Sequence, residues 1–169
     1  TPEMRLVRFP FTDRIVLTPV ELVHAVVPTF AAAILLFFLA GPVASLAAVT
    51  AVLAGTVLFP ALFPFLPTKD YSTRGFFLGG IVALPFAWYG AAHTSLPPWG
   101  NFLAGIIPLL LIPAVTAYLA LNFTGSTPFP SRTGVRKEIF RYIPVMVLMA
   151  GIGIGIAILL GILWFLGVA

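Results

Sequence analysis

The chain contains no cysteine and very little charge. Without cysteine, its 169 residues can form no disulfide, thiolate metal site or iron–sulfur ligation, and can supply no Cys nucleophile. Only 8% of the residues are charged, whereas soluble domains carry about 25%, and the mean hydropathy is +1.11. So little charge does not cover a water-facing surface, and the composition therefore predicts an integral membrane protein.

The patterns of a catalytic site are also missing. The sequence offers no Ser–His–Asp set, no paired buried carboxylates and no phosphate-binding loop. The net charge of +4 would suggest nucleic acid in a soluble protein. Beside a bilayer, anionic headgroups or an acidic partner are the expected counter-charges. We therefore expect no catalytic, cofactor-binding or metal-binding residue in this segment, and no nucleic-acid partner.

What the chain does have is five apolar runs, each close to the length of about 20 residues that crosses a bilayer. They predict an all-α bundle of five transmembrane helices over residues 19–40, 44–66, 76–93, 101–121 and 143–168. Thr18, Pro19 and Glu21 match a capping box and predict the first helix start at Thr18. Pro10 interrupts the segment before it, so residues 1–17 are expected to lie on the membrane surface or to form a tether.

The distribution of charge predicts the orientation of the bundle. With five spans, the N-terminal segment, the second-to-third connection and the fourth-to-fifth connection lie on one side of the membrane. Because cytoplasmic loops hold the excess of Lys and Arg, the N-terminus is expected in the cytoplasm and the C-terminus outside the inner membrane. All nine basic residues fall on that side: Arg5, Arg8, Arg14, Lys69, Arg74, Arg132, Arg136, Lys137 and Arg141.

Few polar residues occur inside the predicted spans. His24 lies three residues after Glu21, close enough in a helix to share a hydrogen bond, but no further metal ligand accompanies the pair. His93 is expected at the outer interface. Four threonines are expected to bond to carbonyls of their own helices: Thr29, Thr50, Thr56 and Thr116.

Small residues recur in the last run, "GIGIGIAILLG". Gly151 and Gly155 are four residues apart, as are Ala157 and Gly161. This spacing lets a neighbouring helix approach closely, so Gly151, Gly155 and Gly161 are expected at helix packing contacts, inside the bundle or between two copies.

Three segments that enter predicted helices resemble those of one family. "RFPFTDRIVLTPVEL" precedes run one, "FLPTKDYSTRGFFLGG" precedes run three and "LNFTGSTPFPSRTGVRKE" precedes run five. Together they resemble the membrane domain of the mercury-methylation corrinoid proteins. That family is similar to the corrinoid iron–sulfur methyl carriers of the acetyl-CoA pathway, and it joins a cytoplasmic corrinoid-binding domain to five membrane spans.

The resemblance implies a function in which methylcorrinoid transfers a methyl group to Hg(II) and forms methylmercury. It implies an anaerobic bacterium, a ferredoxin-like partner with two [4Fe–4S] clusters, and corrinoid (cobalamin) in a soluble domain that would precede Thr1. The family's lower cobalt ligand is a cysteine of that domain. Since this chain has neither the cysteine nor the domain, no catalytic residue of the family carries over to it.

On this interpretation the segment at residues 122–142 is a cytoplasmic loop, with Gly125 and Gly134 providing its turns. The candidate docking residues for the corrinoid domain or the ferredoxin are all basic. Simple anchoring by positive charge explains the same residues, and a small transporter, a channel subunit or an assembly module remain alternatives. The docking candidates are Lys69, Arg74, Arg132, Arg136 and Lys137.

Overall fold

The computed structural model describes residues 11–68, 70–123 and 132–167, in which helices alternate with short connections and no strand occurs. The first half contains α1 (Phe11–Ala40), α2 (Pro42–Leu53), a π-helical segment (Ala54–Leu58), α3 (Phe59–Leu62) and a 3₁₀ turn (Phe63–Phe65). The second half contains α4 (Tyr71–Ala92), α5 (Pro98–Asn122) and α6 (Arg132–Phe165).

Among the described residues, five helical stretches are long and apolar enough to cross a membrane, in agreement with the five predicted spans. The stretches are Leu22–Ala40, Pro42–Phe65, Tyr71–Ala92, Pro98–Asn122 and Val135–Phe165. The chain is therefore an all-helical protein whose apolar helices suit a lipid bilayer.

All five spanning helices begin before the predicted spans, and the difference is largest for α1 and α6. α1 begins at Phe11, directly after Pro10, so the predicted start at Thr18 is wrong. Pro19 removes only one backbone N–H from the helix, and an apolar run hides its remaining backbone groups best by staying helical on both sides of the proline. The side chains of Thr18 and Glu21 lie outside the described part of the structure.

α6 begins at Arg132, so the basic half of the segment 122–142 is helical. Gly134 consequently lies inside a helix and provides no turn, contrary to the expectation. Gly125 lies outside the described residues.

α5 lies at the centre of the bundle, in contact with α2, α4 and α6, whereas α1 packs mainly on α2. The closest approach is between α4 and α5. A Cβ built on Gly75 would lie 2.5 Å from the Cα of Ala117, and one built on Gly79 would lie 2.6 Å from the Cα of Pro113. Glycine at these two positions lets the helix backbones touch, as small residues do in membrane bundles.

Proline explains the π-helical segment in the second span. Pro60 has no N–H for the Thr56 carbonyl, and its ring would crowd that carbonyl in a regular α-helix. The chain widens instead, and the N–H of Phe59 donates to the carbonyl of Ala54, five residues earlier. The Thr56 hydroxyl donates a hydrogen bond to the Val52 carbonyl at 2.8 Å.

The threonines of the spans follow the prediction in two cases and depart from it in one. Thr50 donates to Leu46 of its own helix at 2.8 Å, and Thr56 does likewise, as predicted. Thr116 is fully buried and donates across to the Ala51 carbonyl of α2 at 3.2 Å, so the expectation of a bond within α5 is wrong. A cross-helix bond forms here because small side chains bring α2 and α5 close together.

The contact between α4 and α5 yields a test with a built-in control. Gly79→Ala places a methyl group against the backbone of Pro113, whereas Gly80→Ala adds the same methyl where no described atom of another element lies within 4 Å. We expect Gly79→Ala to lower the free energy of unfolding in detergent by about 1–3 kcal/mol through overpacking. Gly80→Ala should be neutral or slightly stabilising, because alanine favours helix more than glycine. Equal melting temperatures for the two variants would contradict the close packing.

Candidate functional site

The first turn of α4 meets the first turns of α6 through a carboxylate. Glu138 Oε2 accepts hydrogen bonds from the Ser72 N–H at 3.3 Å and the Ser72 hydroxyl at 3.2 Å. Glu138 Oε1 accepts from the Tyr71 N–H at 3.4 Å. A side chain of α6 thus caps α4, and the two helices must begin at the same end of the bundle.

The cap of α4 is supplied by a residue far away in the sequence, because the N-cap residue itself does not provide one. Asp70 occupies the N-cap position of α4, but its side chain makes no capping hydrogen bond. The unsatisfied N–H groups of a first helical turn attract a negative charge, and Glu138 supplies it from α6. Ser72 is completely buried, so without Glu138 its polar groups would lose partners that water does not replace.

Asp70 instead accepts a hydrogen bond from Tyr142. The Tyr142 hydroxyl donates to Asp70 Oδ2 at 2.7 Å. Tyr142 follows Glu138 by four residues, so both side chains leave the same face of α6 and reach the start of α4. We call Asp70, Ser72, Glu138 and Tyr142 the polar junction.

Arg74 holds the connection before α4 in place. Its guanidinium donates to the carbonyls of Thr68 and Phe63 and lies 4.2 Å from the centre of the Phe63 ring. The Thr73 hydroxyl donates to the Asp70 carbonyl at 2.9 Å and lies 2.8 Å from the Thr68 hydroxyl, which can donate to it. These bonds position Asp70 for Tyr142.

An aromatic cluster lies beneath the polar junction. Phe59 contacts the rings of Phe63, Tyr71 and Phe123, with ring centres 5.8, 6.4 and 5.9 Å away. Phe59, Tyr71 and Phe123 are buried. The cluster reaches the start of α4 through Tyr71, whose N–H donates to Glu138, and apolar surroundings of this kind strengthen hydrogen bonds.

Beside the polar junction lies a cavity of about 230 Å³ with charged walls of both signs. We call it the charged recess; it is lined by Asp70, Lys137, Glu138, Arg141 and Tyr142. Lys137 and Arg141 are exposed, and neither forms an ion pair with a carboxylate that the structure describes. The recess therefore presents charged groups of both signs to a polar ligand.

The structure describes the side chains of three of the five candidate docking residues, and their surroundings differ. Arg136 is exposed, and its guanidinium lies 5.7 Å from the centre of the Phe140 ring. Lys137 faces the charged recess, whereas Arg74 is engaged with Phe63 and Thr68. Lys69 and the side chain of Arg132 lie outside the described residues, so among the described candidates Arg136 is the exposed one that lies outside the charged recess.

The three candidate packing glycines lie on an open face of α6. No described atom of another element lies within 4 Å of a Cβ built on Gly151, Gly155 or Gly161. The glycine that packs inside the bundle is Gly153, whose added Cβ would lie 2.8 Å from the Leu111 side chain. A contact of the other three with a second helix from outside the described bundle stays a prediction.

The described residues contain no candidate metal site. They contain no group of three His, Cys, Asp or Glu side chains that could hold a metal ion. His24 is exposed on α1, while its expected partner Glu21 has no described side chain. His93 stacks on Tyr89 with ring centres 4.9 Å apart.

Sequence reasoning did not identify the polar junction. Asp70 and Glu138 were noted only as parts of the helix-entry segments, and Tyr142 only as the end of the segment 122–142. Arg141 was noted only as a positive charge. A signal was available, because just five acidic residues occur in the chain and two of them stand where spans three and five begin. Those two starts lie on one side of a five-span bundle, so a carboxylate on one helix can reach the amide end of the other.

No protein-family model, no curated protein and no solved structure matches this chain. The resemblance to the mercury-methylation corrinoid proteins therefore depends on the three sequence segments alone, and remains a prediction.

The carboxylate cap can be tested by hydrogen exchange. Glu138→Ala removes the acceptor of the Ser72 N–H, so we expect exchange of the Ser72 amide to accelerate by about tenfold or more. That corresponds to ~1–3 kcal/mol for a buried donor that has lost its partner. The matched control is Arg136→Ala, an exposed neighbour on α6 that should leave the amide protected. Unchanged exchange in Glu138→Ala would contradict the assigned cap.

Proposed function

We propose that this chain is a membrane-anchoring and partner-docking domain. The observation that carries the proposal is the polarity of the bundle. The charged side chains that the structure describes lie at the end where α4 and α6 begin: Asp70, Arg74, Arg136, Lys137, Glu138 and Arg141. The turn at Gly41 and the connection at residues 93–97, both at the other end, contain no Lys, Arg, Asp or Glu.

This polarity suits a protein that presents one surface to a partner. The polar junction and Arg74 fix the backbone of the connection before α4, so the nearby cations project from a rigid platform. Arg136 is exposed there, and exposed charge of one sign steers and orients an oppositely charged partner. The platform would lie on the cytoplasmic side if the excess of Lys and Arg follows the usual rule.

We further propose that the domain serves a corrinoid-dependent methyltransferase that methylates Hg(II) to methylmercury in the inner membrane of an anaerobic bacterium. The support is the resemblance of the three helix-entry segments. The partners would be the chain's own corrinoid-binding domain and a ferredoxin-like protein with two [4Fe–4S] clusters. The corrinoid would belong to the soluble domain, since this chain has no cysteine to ligate cobalt.

A transporter or channel subunit has less support. The buried polar side chains of the described bundle are Thr56, Ser72 and Thr116, and each makes a hydrogen bond within the protein. A path for ions or metal complexes usually contains ionisable side chains at depth, and none is buried among the described residues.

Reversal of one exposed charge tests the docking surface. In the full-length methyltransferase, Arg136→Glu should lower methylmercury formation about tenfold while the amount of inserted protein stays unchanged, because the charge opposes an acidic partner. Ser95→Glu adds a negative charge at the opposite end, at another exposed position, and should have little effect. Normal methylation by inserted Arg136→Glu would support simple anchoring by positive charge and contradict docking through this residue.

The methyltransferase assignment has a separate test. Translation of the coding sequence that precedes Thr1 should show a corrinoid-binding domain with a cysteine suited to ligate cobalt. An unrelated domain there would contradict the assignment and would leave the docking surface itself untouched.

A further inference from the structure

We infer that the charged recess binds the headgroup of a phosphatidylethanolamine molecule from the leaflet on its side of the membrane. The inference does not depend on the docking partner, because lipid alone supplies the ligand. It follows from the level of the recess in the membrane, from two cations that pair with no described carboxylate, and from the two carboxylates that line the recess with them.

The recess lies at headgroup level. Residues 143–165 of α6 contain no charged side chain, and at about 1.5 Å per residue they extend about 34 Å. That length already spans the ~30 Å hydrocarbon core. Lys137, Arg141 and Tyr142 precede this stretch, so they fall in the polar layer, where an aromatic ring such as the exposed Phe140 is also at home.

Lys137 and Arg141 provide the phosphate-binding half of the site. They are four residues apart on one face of α6, and both line the recess. Neither is paired with a described carboxylate, and the only described ring contact of Arg141 is with Tyr142, at 5.6 Å. An ammonium and a guanidinium side by side suit the oxygens of a phosphodiester.

Asp70 and Glu138 decide which headgroup fits. The two carboxylates line the same recess, so a purely anionic headgroup would meet repulsion as well as attraction. Asp70 receives the Tyr142 hydroxyl on Oδ2, and Oδ1 accepts no hydrogen bond from a described residue. An ethanolamine ammonium can donate to that oxygen, whereas the trimethylammonium of choline has no N–H to give.

The size of the recess agrees with a headgroup. Its volume of about 230 Å³ is below the ~300–1,000 Å³ of sites that enclose drug-sized ligands. It holds a phosphate and a short amine, while the acyl chains stay in the lipid beside α6.

Lipid titration of the intact protein in detergent tests the inference. Native mass spectrometry would compare phosphatidylethanolamine, phosphatidylglycerol and phosphatidylcholine with matched acyl chains. We expect the ethanolamine lipid to bind about tenfold more tightly than either of the others. Equal or tighter binding of phosphatidylglycerol or phosphatidylcholine would overturn the assignment.

Three variants locate the site. Lys137→Gln with Arg141→Gln should reduce binding of the ethanolamine lipid about tenfold, and Arg136→Gln, which removes a cation outside the recess, should not. Asp70→Asn keeps an oxygen to accept the Tyr142 hydroxyl but should abolish the preference for ethanolamine over choline. If Asp70→Asn does not fold, the exposed pair on α6 still decides the matter, and an equal loss in Arg136→Gln would overturn the site.

The source of the headgroup is tested by competition. Soluble phosphoethanolamine at the concentration of the lipid should not displace it, because it lacks the acyl chains that hold the lipid beside α6. Displacement at equal concentration would overturn the assignment to lipid and indicate a site for the free compound.

Discussion

The capping of α4 by Glu138 is the interaction on which the described end of the bundle depends. A helix that starts at the edge of a membrane presents unpaired N–H groups where water is scarce, and each one left without a partner is costly. Asp70, at the N-cap, does not satisfy them with its side chain. Glu138 of α6 accepts these hydrogen bonds instead. The contact joins the starts of α4 and α6, although the whole of α5 lies between them in the sequence.

The remaining features of this end follow from that contact. Tyr142, four residues along α6, reaches Asp70, and Arg74 secures the connection that carries Asp70. Beneath them, the aromatic cluster around Phe59 fills the space between the second span and α4. The exposed cations therefore belong to helix starts whose backbone is held in place by hydrogen bonds. A docking surface or a lipid site requires this. At the opposite end, a single glycine with positive φ, Gly41, joins α1 to α2.

The sequence was sufficient for the class of fold and the number of spans, because both depend on composition and on the length of apolar runs. It was insufficient where a local sequence pattern competes with the lipid environment or with a contact between helices. Thr18 has the pattern of a helix start, yet α1 continues through it, since lipid favours unbroken helix over a local cap. Thr116 has the pattern of a self-bonding threonine, yet the close approach of α2 and α5 offers it Ala51 instead. The polar junction joins residues 66 or more positions apart, and no local spacing encodes such a pairing.

The account requires the starts of α4 and α6, with their cations, to lie on one side of the membrane. Because the chain has no native cysteine, single cysteines can report this directly through a membrane-impermeant thiol reagent. Lys69→Cys and Arg136→Cys should label from the same side of sealed vesicles, and Ser95→Cys only from the other. Labelling of positions 69 and 136 from opposite sides would contradict the polar junction, the docking surface and the lipid site together.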